Sequence, residues 1–228
     1  MTDDHAAGPP LPAYSDDADR YEQRTGPFAL WRRQLVDLLP LHRGDVVLDV
    51  GCGTGLCLPR LQQRVGRAGL VIGIDASAEM LAVARRTAEA NRWRNVVLVH
   101  SPAAKVELPV LADAALLCAV HDVLRSKAAL AAVADHLVAG GWVAAGGGKW
   151  APAWMLGLNL LVHQLHRPYV SSFSGFDRPW SILEEFVDSL RVTEVAWGTG
   201  YLALGRMRPE SPVAAATSTG PPATGRSA

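Results

Sequence analysis

Short runs of consecutive apolar residues alternate along the chain with longer stretches in which apolar positions recur every three or four residues. The runs at 46–50, 69–75, 95–99, 114–118 and 142–145 are continuous enough for strands buried on both faces. Helical spacing fills the gaps, at 28–39 (Phe28, Leu35 and Leu39 near one face), 56–65, 78–91 after a Ser77 cap, and 128–137. This alternation predicts an α/β fold, a parallel sheet covered by helices on both faces. Residues 150–180 break the rhythm. Residues 181–190 read as helix again. Residues 192–197 and 201–206 read as two strands joined by Gly198-Thr199-Gly200 in a tight antiparallel hairpin. The two ends, 1–13 and 208–228, carry Pro, Gly, Ala, Ser, Thr and Asp without apolar periodicity and read as disordered tails around one domain at 14–207.

Composition narrows the picture. Hydrophobic residues make up 49% of the 228 and charged residues 19%, enough for a large core. The balance of 22 basic and 22 acidic residues gives no overall drive toward nucleic acid or an anionic membrane. Three cysteines, Cys52, Cys57 and Cys118, suit neither a disulfide framework nor zinc spacing, and no metal is expected. The N-terminus lacks the apolar run of a signal peptide, and no stretch is long enough to span a membrane. The expectation is a cytoplasmic monomer or homodimer with no nucleic-acid partner and no stable membrane insertion.

The most informative segment is VVLDVGCGTG at 46–55, a strand delivering Gly51, Gly53 and Gly55 to the start of a helix. Glycines there let the backbone turn sharply and approach a ligand closely. A dinucleotide fingerprint would want glycine where Leu56 stands, and Asp49, two residues before Gly51, would repel a pyrophosphate. The same carboxylate would welcome an ammonium group. Asp75 closes the second strand 24 residues after Gly51, the spacing of a carboxylate that grips ribose hydroxyls. Its alternative is to cap the following helix, a service Ser77 already offers.

With VLDVGCGTG, the GID at 73–75, residues 113–118 followed by AVHDVL, LVAGGWVAA and the closing hairpin, the sequence resembles the class I S-adenosylmethionine-dependent methyltransferases over residues 14–206. The resemblance implies a Rossmann-like doubly wound seven-stranded sheet, mostly parallel, in strand order 3-2-1-4-5-7-6 with the seventh strand antiparallel. It implies S-adenosylmethionine as cofactor and S-adenosylhomocysteine as product. Asp49, Gly51, Cys52, Gly53, Gly55, Asp75, Ala76 and Cys118 fall on its cofactor positions. Where the family often places an Asp near the adenine, this chain has His100-Ser101-Pro102-Ala103. Adenine contacts are then expected from Ser101, Pro102 and Ala103, largely through backbone groups. YSDDADRYEQRT resembles the family's Tyr-containing segment ahead of the first strand. Tyr14 and Tyr21 are either covers for the cofactor or ordinary surface aromatics.

The acceptor side is read from 150–180, which holds six of the fifteen aromatic residues and suggests a lid over an apolar or aromatic ligand. Trp150, Trp154, Tyr169 and Phe173 are the candidate contacts; alternatively the aromatics only dock the lid. Trp154, Leu158, Leu161 and Leu165 share one helical face, and Asn159, His163 and His166 the other. The polar stripe is either solvated or turns His163 or His166 to the substrate. Pro152 suits the helix's first turn and Pro168 its end. His121, just past the fourth strand where the family's acceptor approaches, is either a general base or a pocket wall. Lys149 is a weaker candidate. These residues point to methyl transfer to O, N or C of a small apolar or aromatic molecule of the secondary-metabolic kind. The competing readings are cyclisation or another non-methylating step on the same fold, a lipid or quinone methyltransferase, and a non-catalytic cofactor-binding module.

Overall fold

A computed structural model describes residues 28–208. Helix α1 (Ala29–Leu38) leads into β1 (Val46–Val50), α2 (Leu58–Val65), β2 (Leu70–Asp75), α3 (Ala78–Ala90), β3 (Val96–His100) and β4 (Ala112–Cys118). There follow the single-turn α4 (His121–Leu124), α5 (Lys127–Asp135), β5 (Leu137–Gly148), α6 (Leu156–His166), β6 (Val187–Val195) and β7 (Gly200–Met207). The seven strands form one sheet in the order 3-2-1-4-5-7-6, with β7 antiparallel to both neighbours. This is the architecture the resemblance implied.

The sheet carries a hydrophobic core on each face. Leu35 and Leu39, Leu58 and Leu61, and Ala84 pack α1–α3 on one side; Leu124, Leu130, Val133, Leu183 and Phe186 close the other. Strand order reverses between β1 and β4, whose carboxyl ends open side by side, the crevice where doubly wound sheets hold ligands. Ser77 caps α3 as expected, its hydroxyl accepting from the Met80 N–H at 3.2 Å. The tails, with Tyr14 and Tyr21, lie outside the described residues apart from Arg208.

Four expectations need correction. Residues 181–190 are not a helix: a 3-10 turn at Leu183–Glu185 passes directly into β6. Leu183, Phe186, Val187 and Leu190 have helical spacing by coincidence. β-Branched residues and antiparallel pairing with β7 from Val187↔Met207 decide the segment. Residue 137 opens β5 instead of closing α5, and β5 runs to Gly148 with a register shift against β4. The β6–β7 connection is a 3-10 turn at Ala196–Gly198, in which Ala196 (φ 51°) and Trp197 (φ 56°) take the left-handed region beside Gly198. Finally, α6 starts at Leu156, beyond both Pro152 and Trp154. Trp154 is 80% exposed, and Leu156 and Leu160 also face outward; Asn159, His163 and His166 turn in, and Leu158, Leu161 and Leu165 border the cavity beside His166. The inward stripe is held by a two-point clamp: Asn159 Oδ1 accepts from the Ala151 N–H at 2.8 Å and Nδ2 donates to the Ala151 carbonyl at 3.2 Å.

Candidate active site

Past β1 the chain turns through Gly51, Gly53 and Gly55, all at positive φ. At Gly51 (φ 68°) a Cβ would also overlap the Val120 side chain, so glycine is required twice over. Gly53 faces open space. Gly55 instead packs against Leu58 and Ala84. Beneath the loop Asp49 is 1% exposed, and its Oδ2 has no hydrogen-bond partner. Burial, with a smaller push from Asp75, lifts its carboxyl from 3.8 to about 7. An unpartnered buried carboxylate next to an open loop is a ready seat for a cation.

Asp75 ends β2 and braces the loop: Oδ2 accepts from the Gly53 N–H and Oδ1 from the Ser77 N–H, each at 2.8 Å. Burial raises its pKa, against the lowering effect of these bonds. With Ala76, Ser101, Pro102 and Ala103 it forms a ledge at the ends of β2 and β3. The Ser101 hydroxyl is turned to the Pro102 carbonyl at 3.1 Å.

At the end of β4, Ala119 is left-handed (φ 58°) and donates its N–H to the Gly146 carbonyl at 2.8 Å. This strained kink lays Val120 over the glycine loop and starts α4 at His121. His121 is buried. Its Nε2 meets the Ser174 carbonyl at 3.2 Å, and because a carbonyl only accepts, the neutral ring carries its proton there. Nδ1 is buried with no partner. Desolvation lowers the ring's pKa, opposed more weakly by Asp122.

A cavity of about 670 Å³ joins these parts. Asp49, Gly51, Cys52 and Gly53 line one end, Cys118 and His121 the middle, and Tyr169 and Phe176 the lid side. Its floor is the run Gly146, Gly147 and Gly148 at the end of β5. The ledge of Asp75, Ala76 and Ser101–Ala103 lies outside this lining, as does Gly55.

The other lid candidates are arranged differently. Trp150 and Phe173 stack at 5.0 Å and His163 stacks on Phe173 at 4.8 Å, forming an aromatic layer behind Phe176. None of the three lines the cavity, nor does the exposed Trp154. Lys149 is buried and tied down, donating to the Trp150 and Gly198 carbonyls and pairing with Glu194 at 3.1 Å; it ties the start of the lid to the β6–β7 turn. Sequence reasoning missed Trp31, Tyr201 and the glycine floor as cavity walls. The unusual Gly146-Gly147-Gly148 run was the one signal available. Among the described residues, no group of three or more His, Cys, Asp or Glu is placed to hold a metal.

A profile described as "Methyltransferase domain" matches residues 47–141, from β1 into β5. Residues 47–141 thus carry the methyltransferase domain that the resemblance implied. A demethylmenaquinone methyltransferase of Shouchella clausii is 41% identical over 73 residues, covering 32% of this chain and 31% of that protein. An aklanonic acid methyltransferase of a Streptomyces is 35% identical over 114 residues, covering 49% and 52%. The matched segments thus span about a third to a half of these relatives. A solved S-adenosylmethionine-dependent methyltransferase from Aquifex aeolicus shares the fold at TM-score 0.60 and 21% identity, over 84% of this chain and 98% of that one. S-Adenosylmethionine is the methyl donor this family implies, and the chain's own residues fit it. Asp49 is a buried carboxylate with an unpartnered oxygen that would suit the methionyl ammonium, Gly53 leaves room above the loop, and Asp75 is a carboxylate at the end of β2 that would suit ribose hydroxyls.

Proposed function

We propose that the protein transfers a methyl group from S-adenosylmethionine to O, N or C of a small apolar or aromatic molecule. The observation that carries this reading is the single chamber running from Asp49 and the glycine loop to His121 and the lid. A donor seated on the loop and an acceptor under the lid would share it without crossing solvent. The bound cofactor would supply an electrophilic methyl on a sulfonium. Asp49 would hold the ammonium and Asp75 the ribose hydroxyls. For a hydroxyl acceptor, His121 Nδ1 would take the O–H proton and become imidazolium as the oxygen electrons form the new bond to carbon. Enclosure under the lid would supply orientation and exclude water.

The test is release of S-adenosylhomocysteine with a candidate acceptor; cofactor turnover into a non-methylated product would point to cyclisation instead. Calorimetry should show S-adenosylhomocysteine binding and no NAD binding. Tight NAD binding without the former ends the proposal. Asp75→Ala should weaken the cofactor by about 1.5–3 kcal/mol, the loss of a charge-assisted hydrogen bond. An unchanged affinity in a folded variant would remove the ribose role.

A second reading, transfer to a long-chain quinol at a bilayer surface, is favoured by the outward-facing Trp154, Leu156, Leu160 and Trp197. The similarity to demethylmenaquinone methyltransferases points the same way. No helix among the described residues is long and apolar enough to cross a membrane, so this reading requires surface contact alone. Co-sedimentation with liposomes separates the two: protein that stays in the supernatant argues against it.

A further inference from the structure

The cavity contains two imidazole rings, one from the sheet and one from the lid, and both meet the same aromatic side chain. His121 and His166 lie edge to face with Phe176, at centroid distances of 5.1 and 5.3 Å. Each ring spends one nitrogen on a carbonyl. His121 Nε2–H donates to Ser174, and His166 Nδ1–H donates to Val162 one turn earlier in α6, at 2.9 Å. Both tautomers are thereby fixed, and the nitrogens left over, His121 Nδ1 and His166 Nε2, carry lone pairs. His121 Nδ1 is buried without a partner, and His166 lines the same cavity.

The approach of His166 is specific. A Cβ at Gly148 would overlap its imidazole, Nε2 included, so the ring enters because β5 ends in glycine. Burial also lowers the pKa of both rings, which keeps the lone pairs bare near neutral pH.

We infer that the acceptor is an aromatic molecule bearing two hydrogen-bond donors, such as phenolic hydroxyls, gripped by His121 Nδ1 and His166 Nε2 across Phe176. This rests on the methyl-transfer reading and names the acceptor class within it. His121 Nδ1 is buried and unpaired, which is unfavourable, and the half-buried His166 lines the same cavity; a ligand supplying two donors would relieve the first and bond the second, and one whose oxygens only accept would set lone pair against lone pair. Discrimination against an analogue lacking the hydroxyls follows, since a site built for donors is left unsatisfied without them.

The test uses full-length protein saturated with S-adenosylhomocysteine and three probes: 1,3-dihydroxynaphthalene, its dimethyl ether, and 2-naphthoate. Calorimetry should show the diol binding about tenfold or more tightly than the ether. His121→Leu and His166→Leu should each remove most of that preference while leaving ether affinity within about threefold, because the apolar walls remain. His121→Asn and His166→Gln, which keep an acceptor near the same position, should retain most of it. The inference is overturned by equal binding of diol and ether to the wild type, by a preference that survives both Leu variants, or by naphthoate binding best. Absence of S-adenosylhomocysteine binding would remove the methyl-transfer reading and this inference with it; normal cofactor binding with a flat diol-to-ether ratio removes this inference alone.

Discussion

Replacing His121 with Ala is expected to lower turnover of a hydroxyl acceptor by roughly 10²–10⁴-fold while leaving S-adenosylhomocysteine affinity unchanged. The ring faces the acceptor half of the chamber, and its bare Nδ1 is the atom that would receive the proton. Desolvation lowers its pKa below 6.5 and dominates the opposing effect of Asp122; Arg125 lowers it further. A base must be unprotonated to act, so the rate should rise with pH through that lowered value and be flat above it. The limb should vanish in the variant, and the loss should shrink for an acceptor that is already ionised. Profiles at saturating acceptor decide the matter. Identical limbs in wild type and variant would leave positioning as the source of catalysis.

Asp49 should make cofactor affinity strongly pH-dependent. In the folded protein without cofactor burial pushes its carboxyl up to about 7, against 3.8 for an exposed carboxyl. An ammonium partner would return it to the ionised state. Affinity should therefore climb with pH and level off above 7, being on the order of 50–100-fold weaker at pH 5 than at pH 7.5. Binding at pH 6 should release close to one proton, read from calorimetry in buffers of different ionisation enthalpy. Stability of the apo protein carries the mirror image. Between 3.8 and about 7 the folded state holds a proton that the unfolded state has lost, so this group's contribution falls as pH rises through that window. Above it the ionised, buried carboxylate costs on the order of 4 kcal/mol. Asp49→Asn cannot titrate, so the pH dependence of both melting temperature and affinity should flatten, and affinity should drop at neutral pH. A pH-independent affinity in the wild type would show that no cation meets this carboxylate.

The central strands and the glycine loop were legible because each depends on local pattern. A run such as Val46–Val50, buried from Val47 onward, can hardly be anything but an interior strand. Asp49 stood out because a carboxylate two residues before Gly51 would repel a pyrophosphate and welcome an ammonium group. What the sequence left hidden depends on contacts between distant residues. The start of β6 is set by its partner β7, and the helical spacing of Leu183, Phe186, Val187 and Leu190 points the wrong way. The orientation of α6 could not be read from its own stripe. Leu158, Leu161 and Leu165 border the chamber as well as His166, and it is the Asn159 clamp on Ala151 and the room Gly148 leaves for His166 that set how the helix sits. Tyr201 reaches the chamber from β7 because that strand runs antiparallel beside β5, opposite Gly147.

The lid's packing has a dynamic consequence. Val162, Val170 and Phe176, with Trp150 and Phe173, form a small cluster separate from the two cores of the sheet. A cluster of that size opens at far lower free energy than the domain unfolds, so amides of α6 should exchange hydrogen well before those of β1 and β4. His166 would leave with the lid while His121 stays on the sheet. The paired lone pairs would then exist only in the closed state, and ligand exchange and ligand selection would be governed by one motion: a molecule lacking the second donor would be released because it cannot keep the lid shut.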